Sequence, residues 1–252
     1  LLLKTRIIPT LLYKNMTLVK GVGFDSWRRV GSVIQAVKIY NMREVDELIF
    51  MDITATLENR EPDFALVDDF ADECFMPLTV GGGVTAVDDV KRLLQVGADK
   101  VAINSAAIKD TELIKYSARN FGSQCIVVCI DVKKIDGKYE VFSHSGTRSV
   151  GIDPVQHAIN MEKAGAGEIL LTSIEKDGTM KGYDLEILRK VAQAVSIPVI
   201  ASGGAGNYQH MLDVLKIGGI GAVAAASIYH FTEQTPLEAK SFLHDNGVIV
   251  RT

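Results

Sequence analysis

The feature that most constrains the fold is an internal repeat with an offset of about 120 residues. The letters ELIF at 47–50 align with EILL at 168–171, and VGGG at 80–83 aligns with ASGG at 201–204. A duplicated unit of this kind buries its apolar face against its copy. In the same alignment Leu12 falls on an aspartate, so equivalent positions in the two halves carry different chemistry.

Short apolar runs alternate with longer stretches of helical period, which is typical of parallel strands joined by helices. The predicted strands are 6–12, 47–53, 77–80, 100–104, 125–131, 168–173, 198–202 and 222–226. The predicted helices include 87–95, 111–120, 154–164, 184–195 and 210–215. Eight such units predict the α/β class and a single (β/α)₈ TIM barrel over 1–252, built from two similar half-barrels at about 1–121 and 122–252. An open doubly wound sheet is disfavoured because no glycine-rich turn follows the first strand.

Composition limits the partners. A net charge of −4 gives no long-range attraction to nucleic acid or an anionic membrane, so neither is expected as a partner. The three cysteines, Cys74, Cys125 and Cys129, are odd in number and lack metal-ligand spacing, which indicates a cytoplasmic location without a metal or cofactor. No apolar run reaches the roughly 18 residues of a spanning helix, and Lys4 ends the run at 1–3, which we therefore do not read as a signal peptide.

Each half ends its third strand in glycines, at 81–83 and 203–204, and its fourth in a small polar pair, at 104–105 and 226–227. Glycines let the backbone approach an anion closely, and backbone amides bind phosphate without a lysine. The alternative is that these glycines only form turns. Two copies favour phosphate sites, and a ligand with a phosphate at each end.

Asp131 ends the fifth predicted strand, where a carboxylate in a barrel is typical of a catalytic group. A helix N-cap is the alternative. Asp52 and Asp177 occupy similar places after strands two and six, although Asp177 followed by Gly178 also fits a turn.

Four strands begin with a charge: Arg6, Glu47, Lys100 and Glu168. Side chains of alternate strands converge inside a barrel, so these charges predict either a closed ring at the floor or solvated charges on its rim. The connection after the first strand is long enough for a lid, and its Lys20 could meet an anionic substrate. The five histidines show no ligand spacing and are expected to be surface or packing residues.

Taken together, several motifs resemble the HisF family, the cyclase subunits of imidazole glycerol phosphate synthase. They are DITA (52–55), TVGGG (79–83), ADKVAINSAA (98–107), FGSQCIVV (121–128), GAGEILLTS (165–173), DGTMKGYD (177–184) and IPVIASGGAG (197–206). These motifs cover nearly the whole chain. The sister isomerase of the histidine pathway shares the half-barrel design and the two-phosphate site.

The resemblance implies a HisH-like glutaminase subunit docked at the N-terminal face, with the four strand-start charges as an ammonia gate. It also implies a phosphorylated small-molecule substrate. The substrate- and phosphate-binding positions that it implies are Lys20, Asp52, Gly83, Asn104, Ser105, Thr172, Asp177, Gly178, Ser202, Gly204, Ala226 and Ser227.

The family pairs two aspartates as acid and base, whereas this chain has Asp131 at one position and Leu12 at the other. Losing a proton-transfer group typically costs about 10²- to 10⁴-fold in rate. Three alternatives therefore stay open: a HisF-type cyclase, a HisF-like paralogue that amidates a nucleotide-linked sugar for surface polysaccharide, and a non-catalytic ammonia-channelling scaffold. Leu12 favours the second and third.

Overall fold

The computed structural model describes residues 4–251, so the leucine run at 1–3 lies outside the described residues. The strands are β1 (Arg6–Lys14), β2 (Thr17–Val22), β3 (Asp25–Gly31), β4 (Leu48–Asp52), β5 (Leu78–Gly81), β6 (Lys100–Ile103), β7 (Ile126–Ile135), β8 (Lys138–Ser143), β9 (Arg148–Ser149), β10 (Glu168–Ser173), β11 (Val199–Ser202) and β12 (Ile220–Ala225). The helices are α1 (Val33–Met42), α2 (Phe64–Ala71), α3 (Val87–Gln95), α4 (Ser105–Lys109), α5 (Thr111–Phe121), α6 (Pro154–Ala164), α7 (Leu185–Ala194), α8 (Tyr208–Leu215), α9 (Ser227–Phe231) and α10 (Pro236–Asp245).

Eight parallel strands close into a barrel, with helices outside. Their order is β1, β4, β5, β6, β7, β10, β11 and β12, and β12 pairs with β1 to close the circle. This closure confirms the predicted (β/α)₈ TIM barrel. Within residues 4–251, no helix is both long and apolar enough to cross a membrane.

Barrel strands β1 and β7 run further than the sequence predicts, because each continues above the barrel into a hairpin. Beyond its barrel segment β1 pairs antiparallel with β2, and β7 pairs in the same way with β8. The second hairpin turns at Asp136 and Gly137, both with positive φ, which is the conformation that an Asp-Gly hairpin turn requires. The long connection after the first strand is therefore a hairpin, β2–β3, lying over the barrel mouth.

The core has two layers, which follow from the alternation of side chains along each strand. On β1, Ile7 and Leu11 face the helices, whereas Ile8 faces the barrel interior with Ile49 and Val127. The interior layer consists of buried apolar side chains, which lie between the floor of the barrel and its mouth.

Candidate functional site

A cavity of about 700 Å³ opens at the carboxyl ends of the barrel strands. Asp131, Leu12 and all twelve residues expected to bind substrate or phosphate line it: Lys20, Asp52, Gly83, Asn104, Ser105, Thr172, Asp177, Gly178, Ser202, Gly204, Ala226 and Ser227. The fold thus brings together residues separated by more than half the chain. In the described part of the chain, no group of three His, Cys, Asp or Glu side chains could hold a metal ion.

Asp131 projects from β7 into this cavity. Its Oδ2 accepts a hydrogen bond of 2.7 Å from the side-chain amide of Asn104. Burial raises the pKa of Asp131 to about 7; the negative charge of Asp177 also raises it, while the hydrogen bond from Asn104 opposes the shift. A carboxyl group with such a pKa can give or take a proton at neutral pH.

Leu12 occupies the position in the first half that Asp131 occupies in the second. Asp131 pairs with Thr172 on β10, and Leu12 pairs with Met51 on β4. Met51 and Thr172 each lie four residues after the glutamate that aligns the two halves, so the backbone register agrees with the sequence repeat. Both side chains line the cavity.

The hairpin β2–β3 is tied to the loop after β10. The buried Lys20 places its Nζ 2.7 Å from the Oδ2 of Asp177, and the amide of Gly23 donates to the backbone oxygen of Asp177 at 2.9 Å. Burial raises the pKa of Asp177, and the ion pair with Lys20 opposes that shift. A Cβ on Gly178 would lie 2.1 Å from the backbone oxygen of Gly21, so the hairpin packs directly on this glycine.

Each half provides a glycine cradle at the cavity wall. Gly82 and Gly83 have φ of 110° and 76°, and Gly203 and Gly204 have φ of 85° and 111°. A Cβ on Gly83 would lie 2.6 Å from the backbone oxygen of Arg60, so only glycine fits there without a shift.

Two polar atoms in the cradles lack a protein partner. Within the described residues, the Oδ1 of Asn104 and the Oγ of Ser227 are buried without a hydrogen bond, and both residues line the cavity. A buried polar group without a partner costs free energy, which a polar ligand would recover. The Oγ of Ser227 can donate to a phosphate oxygen, whereas the Oδ1 of Asn104 can only accept and so needs a donor on the ligand, such as a hydroxyl group.

Asp52 serves its own loop as well as lining the cavity. Its Oδ1 accepts from the amide and hydroxyl of Thr54 and from the amide of Ala55, and its Oδ2 lies 3.2 Å from the Nη2 of Arg60. These contacts hold the loop after β4 around the first cradle. Asp52 therefore shapes the site by holding this loop, and its carboxylate is already occupied by protein groups.

A second segment over the mouth was not expected from the sequence. The amide of His144 donates to the Oγ of Ser105 at 2.9 Å, and the Oγ of Ser145 donates to the backbone oxygen of Ile53 at 2.7 Å. His144 and Ser145 have positive φ, a backbone strain that clusters at functional loops, and Gly146 follows them with a positive φ that glycine adopts freely. Among the five histidines, all expected to be surface or packing residues, His144 is half-buried and lines the cavity.

Burial lowers the pKa of His144, and the positive charge of Arg148 lowers it further. Both effects favour the neutral form of the imidazole ring. The one sequence signal for this segment is Gly146, a residue type that marks turns and loops. Trp27 of β3 also lines the cavity.

The four charges at the strand starts form a closed ring on the barrel floor. The Nη1 of Arg6 lies 2.8 Å from Glu47 and 2.9 Å from Glu168, and the Nζ of Lys100 lies 3.0 Å and 3.2 Å from the same two glutamates. Thr79 donates a further hydrogen bond of 2.8 Å to Glu47. Of the two arrangements considered from sequence, the structure has the ring.

Comparisons with known proteins agree with this architecture. Residues 6–235 match the family model described as histidine biosynthesis protein. The chain is also 46% identical over 250 residues to the imidazole glycerol phosphate synthase subunit HisF of Chloroherpeton thalassium strain ATCC 35110, covering 99% of this chain and 100% of that protein.

Proposed function

This chain belongs to the HisF family, and on that premise we propose that it passes ammonia from a glutaminase partner through the barrel to a phosphorylated acceptor. The observation that carries the proposal is the placement of two features at opposite ends of one barrel. The ring of Arg6, Glu47, Lys100 and Glu168 closes the floor, and the cavity with Asp131 opens at the mouth.

The barrel interior suits ammonia more than ammonium. Between the ring and the cavity the wall consists of apolar side chains such as Ile8, Ile49 and Leu170. An unpaired cation would lose its hydration there at a high free-energy cost, whereas neutral ammonia would lose little. The ring pairs its own charges, so a small movement of Lys100 or Arg6 would open the path and leave the glutamates bridged by the other cation.

The glutaminase would dock on the floor side, as the family resemblance implies. Phe75 and Met42 are 83% and 78% exposed there, and the Oδ1 of Asn41 accepts the amide of Phe75. Phe75 also borders a cleft of about 400 Å³ with Lys240 and Arg251. Large exposed apolar side chains beside charged ones are typical of a protein interface.

The acceptor would lie across the cavity, with one phosphate at Gly83, Asn104 and Ser105 and the other at Gly178, Gly204 and Ser227. Asp131 would then act between the two anchored ends. Two fixed ends convert the reaction with ammonia into an effectively intramolecular one, which is a large part of what a binding site contributes to catalysis.

The test supplies ammonium chloride and the formimino-ribonucleotide precursor of the histidine pathway to the purified chain. We expect product formation that falls about 10²- to 10⁴-fold in Asp131→Asn. With glutamine and a HisH-like glutaminase in place of ammonium, turnover should also need an intact ring. Equal turnover by the native chain and Asp131→Asn would contradict the role of Asp131.

Leu12 favours a second candidate, in which the acceptor is a nucleotide-linked sugar of surface-polysaccharide biosynthesis or the barrel only delivers ammonia to another protein. Supplying such sugars under the same conditions separates these possibilities. A scaffold would stimulate its glutaminase partner and yield no product with either acceptor.

A further inference from the structure

A second carboxylate reaches the cavity although Leu12 leaves β1 without one. Asp177 lies in the loop after β10, is 8% exposed and lines the same cavity as Asp131. Its amide donates to the backbone oxygen of Ser173 at 2.9 Å, and Ser173 directly follows Thr172, the register partner of Asp131. The two carboxyl groups therefore extend from neighbouring strand ends into one space.

The two carboxyl groups have unlike surroundings. Both carboxyl groups are buried, which raises the pKa of each, but Asp177 faces the ammonium group of Lys20 at 2.7 Å, which opposes that rise, whereas Asp131 faces the neutral amide of Asn104. Burial and the negative charge of Asp177 favour the protonated form of Asp131. Two carboxyl groups whose environments differ in this way can serve as an acid and a base.

Resting on the proposed function, we propose that Asp177 replaces the acid missing at Leu12 and serves with Asp131 as the second proton-transfer group. The resemblance had implied only substrate binding for Asp177. A carboxylate repels phosphate, so its side chain suits proton transfer better than anchoring.

Ammonia would react with a carbonyl group of the acceptor in two steps, addition and loss of water. The nitrogen lone pair forms a bond to the carbonyl carbon and the π electrons move to oxygen. Asp177 accepts one proton from nitrogen, and Asp131 donates one to oxygen. In the second step the carbon–oxygen bond breaks and water leaves after Asp131 protonates the hydroxyl. Asp177 accepts another nitrogen proton as the carbon–nitrogen double bond forms. After each step solvent carries one proton from Asp177 back to Asp131, so the net products are an imine and water.

Other groups around the cavity are less suited to the second role. The remaining charged or titratable cavity residues, apart from Lys20 and Cys129, are Asp52, Arg60, Glu61, Lys109, Asp110 and His144. Both oxygens of Asp52 are engaged, Oδ1 by Thr54 and Ala55 and Oδ2 by Arg60, whereas Asp177 pairs with Lys20 through Oδ2. Burial strongly raises the pKa of the Cys129 thiol, and the Nδ1 of His144 is hydrogen-bonded to the Oγ of Ser143 at 2.9 Å. Among the carboxylates that line the cavity, Asp177 is the one whose charge acts on Asp131.

The test uses ammonium chloride, the formimino-ribonucleotide and the full chain. We expect Asp177→Asn to lose about 10²- to 10⁴-fold in kcat, as loss of a proton-transfer group does. The double variant Leu12→Asp with Asp177→Asn should recover at least about tenfold, because it restores a carboxylate at the position of the first half that is equivalent to Asp131. Glu175→Gln, two residues away and exposed, is the matched control and should leave turnover unchanged.

The variant Lys20→Gln tests whether Asp177 transfers protons or only holds the β2–β3 hairpin in place through Lys20. If Asp177 only held Lys20, then Lys20→Gln would match Asp177→Asn in its loss of kcat, and Leu12→Asp would rescue neither. Circular dichroism and urea unfolding verify that each variant is folded.

The outcomes distinguish failure of the role of Asp177 from failure of the proposed function. Turnover that survives Asp177→Asn, or absence of rescue in the double variant, would overturn the role of Asp177 and leave the proposed function standing. Absence of turnover in the native chain, whether or not Leu12→Asp restores it, would overturn the proposed function, and this inference with it.

Discussion

Asn104 donates its side-chain amide to the Oδ2 of Asp131 at 2.7 Å, so one hydrogen bond joins the residue that follows β6 to the proposed acid. The same Asn104 has its Oδ1 buried without a partner in the described residues. A ligand hydroxyl that donates to this Oδ1 would therefore be linked to Asp131 through a single side chain.

Asn104→Leu should shift the pH dependence of turnover. The hydrogen bond lowers the pKa of Asp131, so its removal should raise that pKa further above its ordinary value. If protonated Asp131 is the acid, the fall in kcat with rising pH should move to higher pH. A pH–rate profile measures this, and an unchanged profile would show that the hydrogen bond is not made in the working enzyme.

Asp131→Asn should stabilise the folded chain at pH 8 and not at pH 4. The pKa of Asp131 is raised from 3.8 to about 7 by folding, so the native state binds the proton more tightly than the unfolded state. Stability is therefore lost as pH rises from about 4 to about 7. Removing the ionisable group should recover at least about 1 kcal/mol at pH 8, measured by urea unfolding. Equal stability of the two proteins at pH 8 would contradict the raised pKa.

Arg6→Met should destabilise the chain by about 3–5 kcal/mol, because it leaves Glu47 and Glu168 with Lys100 as their one remaining ring cation. The matched control is Lys115→Met, which breaks an exposed pair with Glu112 and should cost less than about 1 kcal/mol. Thermal unfolding monitors both. Similar costs for the two variants would show that the ring contributes no more than a surface ion pair.

Gly83→Ala should weaken phosphate binding by at least about tenfold, because a Cβ there would approach the backbone oxygen of Arg60 to 2.6 Å and distort the cradle. Gly137 is the matched control: its φ is 77° against 76° at Gly83, and a Cβ meets nothing within 4 Å. Gly137→Ala should cost about 1 kcal/mol of stability from backbone strain alone and leave phosphate binding unchanged. Calorimetric titration with inorganic phosphate checks both variants.

The barrel was predictable because its signals are local and repeated. The bounds of β10, α3 and α6 agree with the sequence prediction at both ends. In each of them a regular pattern of apolar residues runs between residues that favour turns. The short helices α4 and α9 were not predicted, because five residues are too few to show a helical period.

The site was less predictable, since its assembly depends on contacts between distant parts of the chain. The glycine clusters and Asp131 follow strand ends and could be found from that position. The ion pair between Lys20 and Asp177 spans most of the chain, and no spacing rule reveals it. The turn at Asn15 and Met16 has positive φ at both residues without a glycine, so the hairpin it starts also lacked its usual signal.

The two hairpins over the mouth are exchanged between the halves. Lys20 and Gly23 of the first half bind Asp177 of the second, whereas His144 and Ser145 of the second bind residues of the first. The hairpin of each half thus covers the glycine cradle of the other half. Residues 1–121 expressed without 122–252 would therefore keep the glycines 82 and 83 but lose the segment at His144 and Ser145 that lies over them.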